Sequence, residues 1–182
     1  IVVNDSRGFY TSRVFGTYVM EGIALLTEGV HPRSIEVAGL QAGMPVGPLA
    51  LNDEVSLSLG LHVLEQTRKD FAAEGKTMEA RASDAVLEKM VKQLDRPGKK
   101  AGKGFYDYPA EGTKGEKTLW KGLAEHYPVA KVQPPQQELI ERLMFVQAVD
   151  AARCFEERVV TTVADTNIGS IFGWGFAPHQ GG

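Results

Sequence analysis

The 182-residue chain carries a single cysteine, Cys154. One cysteine excludes an internal disulfide framework and a thiolate zinc cage, and a reducing compartment is the natural reading. A strong excess of either charge is lacking too. Lys and Arg number 20 against 23 Asp and Glu, a net −3, which excludes the basic footprint of a protein held by phosphate contacts. No run approaches the roughly 18–20 apolar residues of a membrane span. The opening Ile1-Val2-Val3-Asn4 lacks both an initiator Met and a signal-peptide pattern, so it reads as cut from a longer chain. No strand followed by G-x-G-x-x-G is present, which excludes a dinucleotide-binding domain within the chain. No two of His31, His62, His126 and His179 stand at metal-ligand spacing.

What is present is helical periodicity. Phe15, Tyr18, Val19, Ile23 and Leu26 recur at three- and four-residue steps and predict a helix over 11–28, closed by Gly29. Pro32 starts a short helix ending at Gly43. Pro48 starts a third, expected to run unbroken to Ala73 with Leu51, Val55, Leu59, Val63 and Phe71 as apolar positions. A fourth is expected over 83–96, with Ser83 as N-cap and Pro97 as terminator. Gly98–Gly104 is a basic glycine turn, followed by an extended arm, Phe105-Tyr106-Asp107-Tyr108. Residues 109–117 read as a loop, 118–126 as a short helix, 128–135 as a proline-bearing linker, and 136–159 and 162–172 as two more helices.

The chain repeats itself. Shifted by 129 positions, Arg13 falls on Arg142, Glu21 on Asp150, Glu28 on Glu157 and Glu36 on Asp165. With one residue added, Gly43 falls on Gly173 and Pro48 on Pro178. A helix pair with one apolar face cannot bury it alone, and two copies face to face can. Residues 1–127 form the first expected repeat with its arm, and 136–182 a second, truncated one.

Chemistry is sparse. Gly98–Gly104 fails the P-loop spacing, and a cationic rim for an anionic ligand is the functional alternative to a plain surface turn. Cys154, Trp120 and Trp174 read as packing residues, Glu21 and Asp53 as caps or salt-bridge partners. No acid–base pair is evident.

Three motifs carry a resemblance. Val3-Asn4-Asp5-Ser6-Arg7-Gly8-Phe9-Tyr10-Thr11-Ser12-Arg13 resembles the segment joining the Rossmann domain of 3-hydroxyacyl-CoA dehydrogenases to their helical C-terminal domain. Gly43-Met44-Pro45-Val46-Gly47-Pro48 through Asp53 resembles that family's G-x-P-x-G-P-x-x-L-x-D loop. Gly98-Lys99-Lys100-Ala101-Gly102-Lys103-Gly104-Phe105-Tyr106 resembles its G-K-K-x-G-x-G-F-Y arm. Ala164-Asp165 and Gly173-x-Gly175-Phe176-x-Pro178 are similar to the terminal repeat of multifunctional fatty-acid β-oxidation proteins.

The resemblance implies an all-α fold of two tandem repeats, like the C-terminal domain of 6-phosphogluconate dehydrogenase, packed as a pseudo-two-fold body. It implies oxidation of 3-hydroxyacyl-CoA to 3-ketoacyl-CoA with NAD, the NAD and the catalytic groups lying in a Rossmann domain outside this chain. It therefore assigns no catalytic residue, cofactor site or metal site here. It places Ser12, where the family has an asparagine, and Phe172, where multifunctional relatives have a tyrosine, at the acyl-CoA substrate. It further implies possible self-association, no nucleic acid, no membrane span and a cytoplasmic, bacterial setting, with an organelle as the other option. A non-enzymatic helical interaction module is the alternative reading.

Overall fold

A computed structural model describes residues 1–110 and 112–182; Glu111, inside the loop expected at 109–117, lies outside the described residues. Helix α1 spans Thr11–Thr27 and α2 spans Pro32–Gln41. The chain turns between them at Gly29, whose φ of +84° is open to glycine at little cost. His31 caps α2 through Nδ1, which accepts the Arg33 N–H at 3.1 Å, and Pro32 fills the first turn where no amide donor is needed.

Helix α7, Gln136–Glu156, lies antiparallel on α1, and α8, Val163–Trp174, follows it after a turn. The seam carries reciprocal ion pairs. Arg13 reaches Asp150, at 3.4 Å, and Glu157; Arg142 reaches Glu21, at 2.6 Å, and Glu28. Each partner in one set sits 129 positions from its counterpart in the other, as an isologous contact requires. The left-handed residues ending α1 and α7, Gly29 and Arg158, keep the same offset. The chain is an all-α body with this pseudo-two-fold seam at its centre.

Beyond the first helices the register of the repeat differs from the expected one. The left-handed glycine that answers Gly43 is Gly175, not Gly173. The loops there also pack reciprocally: a Cβ on Gly43 would meet Ala177, and a Cβ on Gly175 would meet Pro45 at 2.9 Å. Glu36 and Asp165 diverge in role. Asp165 exchanges hydrogen bonds with Thr162 at the start of α8, whereas Glu36 is buried and accepts from the Leu49 and Ala50 N–H groups.

The expected third helix is two. Helix α3, Pro48–Val55, and α4, Leu57–Ala73, are separated by Ser56 at φ +90°. The cause is tertiary. The Pro97 carbonyl accepts from the Ser58 N–H, and Gly98 lies so close that a Cβ on it would stand 2.9 Å from the Asp53 carbonyl. The break rephases the helix: α4 buries Leu57, Leu61 and Leu64, while Val55, Leu59 and Val63 face outward, as does Leu40 of α2.

Helix α5, Ala82–Glu88, widens into a π-turn over Lys89–Gln93. Its N-cap is Arg81, whose N–H donates to Asp84, so Ser83 is inside the helix and not its cap. The extended arm is a strand, β1 Tyr106–Asp107, paired antiparallel with β2 Thr118–Leu119. This pairing, and the Trp120 N–H given to the Phe105 carbonyl, defer the helix expected from Thr118 to α6, Leu123–His126.

Tyr18, Ile23, Leu26, Ile35, Leu49, Leu87, Met90 and Phe105 form the main core. Helix α1 is admitted to it by Gly22, where an added Cβ would stand 2.5 Å from Pro48 Cβ. Alanine exceeds glycine in helix propensity by about 1 kcal/mol. We nevertheless expect Gly22→Ala to destabilise the chain by about 1–2 kcal/mol through overpacking on Pro48, read as a lower urea midpoint; a raised midpoint would contradict this packing.

Candidate functional site

Two clusters concentrate polar or apolar function. The first fixes the arm. Asp53 is buried at the end of α3 and accepts from the Phe105 N–H at 2.8 Å, the Tyr106 N–H at 2.9 Å and the Tyr108 hydroxyl at 3.1 Å. Gly104 passes directly over its carboxylate, where a Cβ would collide. Glu36 accepts from the Tyr106 hydroxyl at 2.7 Å. Arg96 donates to the Gly104 and Tyr106 carbonyls and lies 4.1 Å from the Trp120 ring centroid.

Burial is the largest influence on both carboxyls. It pushes Asp53 up to about 6, opposed by its three donors, and pushes Glu36 up as well. Both are sealed beneath the arm and act as anchors. Glu21 is a partner of Arg142. The basic turn is likewise structural: Lys99 pairs with Glu54, Lys103 pairs with Asp95, and its backbone closes between Gly98 and Lys103. His126 packs on Trp120, and the His179 ring lies against Gly43. Cys154 is buried with Tyr10, Val14, Val159 and Val160, and burial raises its thiol pKa.

The second cluster is a cleft of about 360 Å³ between the N-terminal segment, the start of α1 and α8. Asn4 fastens that segment to the end of α7, donating from its N–H to Val159 and from its side chain to Arg158. Gly8 and Phe9 then turn the chain with successive positive φ values, +79° and +50°. Tyr10 enters the interior, donates to the Thr166 carbonyl at 3.0 Å and meets Trp174 edge-on. Gly169 and Gly173 let α8 approach: added Cβ atoms would stand 3.1 Å from the Tyr10 ring and 2.7 Å from Thr11.

That approach leaves Ile168 and Phe172 flanking the cleft beside Phe9, Thr11, Ile1 and Val3. Phe172 is 85% exposed and Phe9 55%. Large apolar groups presented this openly mark a surface built to be covered. Ser12 is exposed on the first turn of α1, next to Thr11 but outside the cleft lining. The fold thus joins Phe172 to the α1 start on which Ser12 sits, without bringing both into one lining. Phe9 and Ile168 were missed. Their signals were the Gly8-Phe9 pair and an apolar stripe, Ile168 and Phe172, beside a glycine stripe, Gly169 and Gly173.

Among the described residues the cleft lining carries no carboxylate, histidine, lysine or arginine side chain, and the Tyr10 hydroxyl in it is already given to the Thr166 carbonyl, so its chemistry is apolar binding, with the Thr11 hydroxyl as a polar handle. A dinucleotide does not fit these residues: the sheet is a two-residue antiparallel ladder, and among the described residues no strand leads into a glycine-rich helix start. No described helix is long and apolar enough to cross a membrane.

The model of the 3-hydroxyacyl-CoA dehydrogenase C-terminal domain matches residues 8–108. These run from the turn before α1 through the anchored arm. Among solved structures, the chain is similar to 3-hydroxybutyryl-CoA dehydrogenase from Escherichia coli K12 substr. MG1655. They share 20% identity at a TM-score of 0.67, over 96% of this chain and 52% of that one. The chain thus spans about half the length of that protein, and the likeness is one of fold. With more than half its residues matched by the domain model, the chain belongs to the 3-hydroxyacyl-CoA dehydrogenase C-terminal domain family.

Proposed function

We propose that the chain is the substrate-side and pairing region of an NAD-dependent 3-hydroxyacyl-CoA dehydrogenase that works in fatty-acid β-oxidation. The observation that carries the reading is the open apolar cleft at the start of α1, on the segment that opens the matched domain. The NAD-binding domain, in a chain outside these residues, supplies the acid–base groups and the nicotinamide. This region closes one wall over the acyl-CoA. Phe172, Ile168 and Phe9 offer apolar surface to an acyl chain, and Ser12 offers a hydroxyl that donates and accepts.

Within that reading, residues 1–127 are the first repeat with its arm, 128–135 the linker and 136–182 the second repeat, as in multifunctional β-oxidation proteins. The reciprocal pairs of Arg13 and Arg142 support it. The linker is stitched to the α1–α2 turn: the Ala130 N–H and the Gln133 side chain both donate to the Gly29 carbonyl. With the pairing surface used internally, further self-association is not needed to bury it. The setting is the bacterial cytoplasm.

Joined to its NAD-binding domain, the Phe172→Ala variant should show a KM for long-chain substrates raised about tenfold, the size of ~1.4 kcal/mol of lost apolar contact, with kcat nearly unchanged. Ser12→Ala should raise KM several-fold irrespective of chain length. Unchanged KM values in both variants would remove this region from the substrate site.

A further inference from the structure

The segment that enters each half of the body is held by the other half. Asn4 gives its side-chain N–H to the Arg158 carbonyl at 2.7 Å and its backbone N–H to the Val159 carbonyl at 2.9 Å, in the turn after α7. The residue 129 positions on makes the counterpart bond: the Gln133 side chain gives an N–H to the Gly29 carbonyl at 3.0 Å, in the turn after α1. Gly29 and Arg158 both stand at positive φ, +84° and +59°. The pseudo-two-fold thus extends beyond the helices to a pair of amide clamps, each closing on a left-handed residue across the seam.

The clamps match, but what they hold differs. Gln133 holds the linker, whose Val132 is exposed. Asn4 holds a wall of the apolar cleft, because Ile1 and Val3 belong to its lining. Val3 packs on the cluster of Cys154, Val159 and Val160, beside the carbonyls that Asn4 reaches. Ile1 extends to α8, where a Cβ on Gly169 would stand 3.6 Å from its Cδ1. Farther along, Arg7 pairs with Asp70 at 3.7 Å and Glu74 at 3.5 Å and lies 5.0 Å from the Phe71 ring centroid. The segment is therefore pinned at positions 4 and 7, and residues 1–3 project over the cleft from the pin at Asn4. Irregular surface segments move unless they are tied down, and Asn4 is the tie nearest this wall.

We infer that Asn4 is a positioning residue of the cleft and a determinant of ligand chain length. Through the carbonyls of Arg158 and Val159 it holds Ile1 and Val3 beside α8, so the turn after α7 sets how much apolar wall the cleft offers. A long acyl chain uses that wall, and a short acyl group leaves it unused. Asn4 touches no reacting group; it acts through the two side chains it places. The inference rests on the reading of the cleft as an acyl site and adds to it the residue that fixes one side of that site.

Hydrogen exchange and kinetics together test it, on the chain joined to its NAD-binding domain. The kinetic readout is the ratio of KM for 3-hydroxydecanoyl-CoA to KM for 3-hydroxybutyryl-CoA. Asn4→Asp replaces the donating amide by a carboxylate that repels the Arg158 carbonyl. It should remove exchange protection from the backbone amide at position 4 and raise the ratio about fivefold. Asn4→Gln should recover most of both, because Gln133 makes the same bond on the other side. Gln133→Glu breaks the matching clamp and should lower the urea midpoint without moving the ratio. A ratio raised by Phe172→Ala but not by Asn4→Asp would overturn the proposal and leave the acyl reading standing. A ratio moved by neither variant would overturn both. A ratio raised equally by Gln133→Glu would reduce the effect to general stability and overturn the proposal.

Discussion

Replacing Asp53 by Asn should cost about 2–3 kcal/mol at neutral pH, although the two side chains have nearly the same shape. The carboxylate accepts from two backbone N–H groups and one hydroxyl. An amide has one acceptor oxygen, so its NH₂ must face one of the two N–H donors, leaving a buried donor unpaired. The expected result is a lower urea midpoint together with faster exchange of the Phe105 and Tyr106 amides.

The variant should also change the pH dependence. With its folded pKa raised to about 6 from 3.8, the Asp53 carboxyl binds its proton more tightly in the folded state. The stability it contributes is therefore fully present below about pH 4 and is lost as pH rises through about 6. The difference in stability between wild type and Asp53→Asn should widen as pH falls across that window. A constant difference from pH 4 to 7 would contradict the buried, proton-retaining environment described for Asp53.

The second large effect is expected at the seam. Arg13→Glu would put a third carboxylate beside Asp150 and Glu157, and Arg142→Glu would do the same beside Glu21 and Glu28. Exposed ion pairs contribute little, but these side chains are partly shielded and each reversal replaces two attractions by two repulsions. We expect a loss of about 2 kcal/mol for each variant, shrinking with added salt. Because the two ends of the seam are reciprocal, the losses should agree to within about 1 kcal/mol. Adding Glu157→Arg to Arg13→Glu should recover part of the loss. Two widely different losses would show that the ends are not equivalent.

Much of this architecture is readable from residue spacing. The boundaries of α1, α2, α7 and α8 follow to within a few residues from apolar periodicity, Gly29 and Pro32, all of which act within one or two turns. The offset of 129 was visible because the paired charges themselves repeat. The features that were not legible have remote causes. Ser56 breaks a helix because Pro97 and Gly98, some 40 positions away, press on it. The strand at Thr118 exists because Tyr106 is there to pair with it. Asp53 and Glu36 look like ordinary carboxylates until the arm closes over them. At the cleft, Phe172 was found through resemblance, while Phe9 needed the positive φ at positions 8 and 9 to turn it outward beside α8.

The proposed division of labour between this helical body and an NAD-binding domain is tested most directly by turnover of acetoacetyl-CoA with NADH. Residues 1–182 alone should give none, and adding the separate NAD-binding domain of the same protein should produce turnover with tighter binding of a hydroxyacyl-CoA than that domain achieves alone. Turnover by residues 1–182 without that domain would contradict the account, as would an NAD-binding domain whose turnover and hydroxyacyl-CoA affinity are unchanged by their addition.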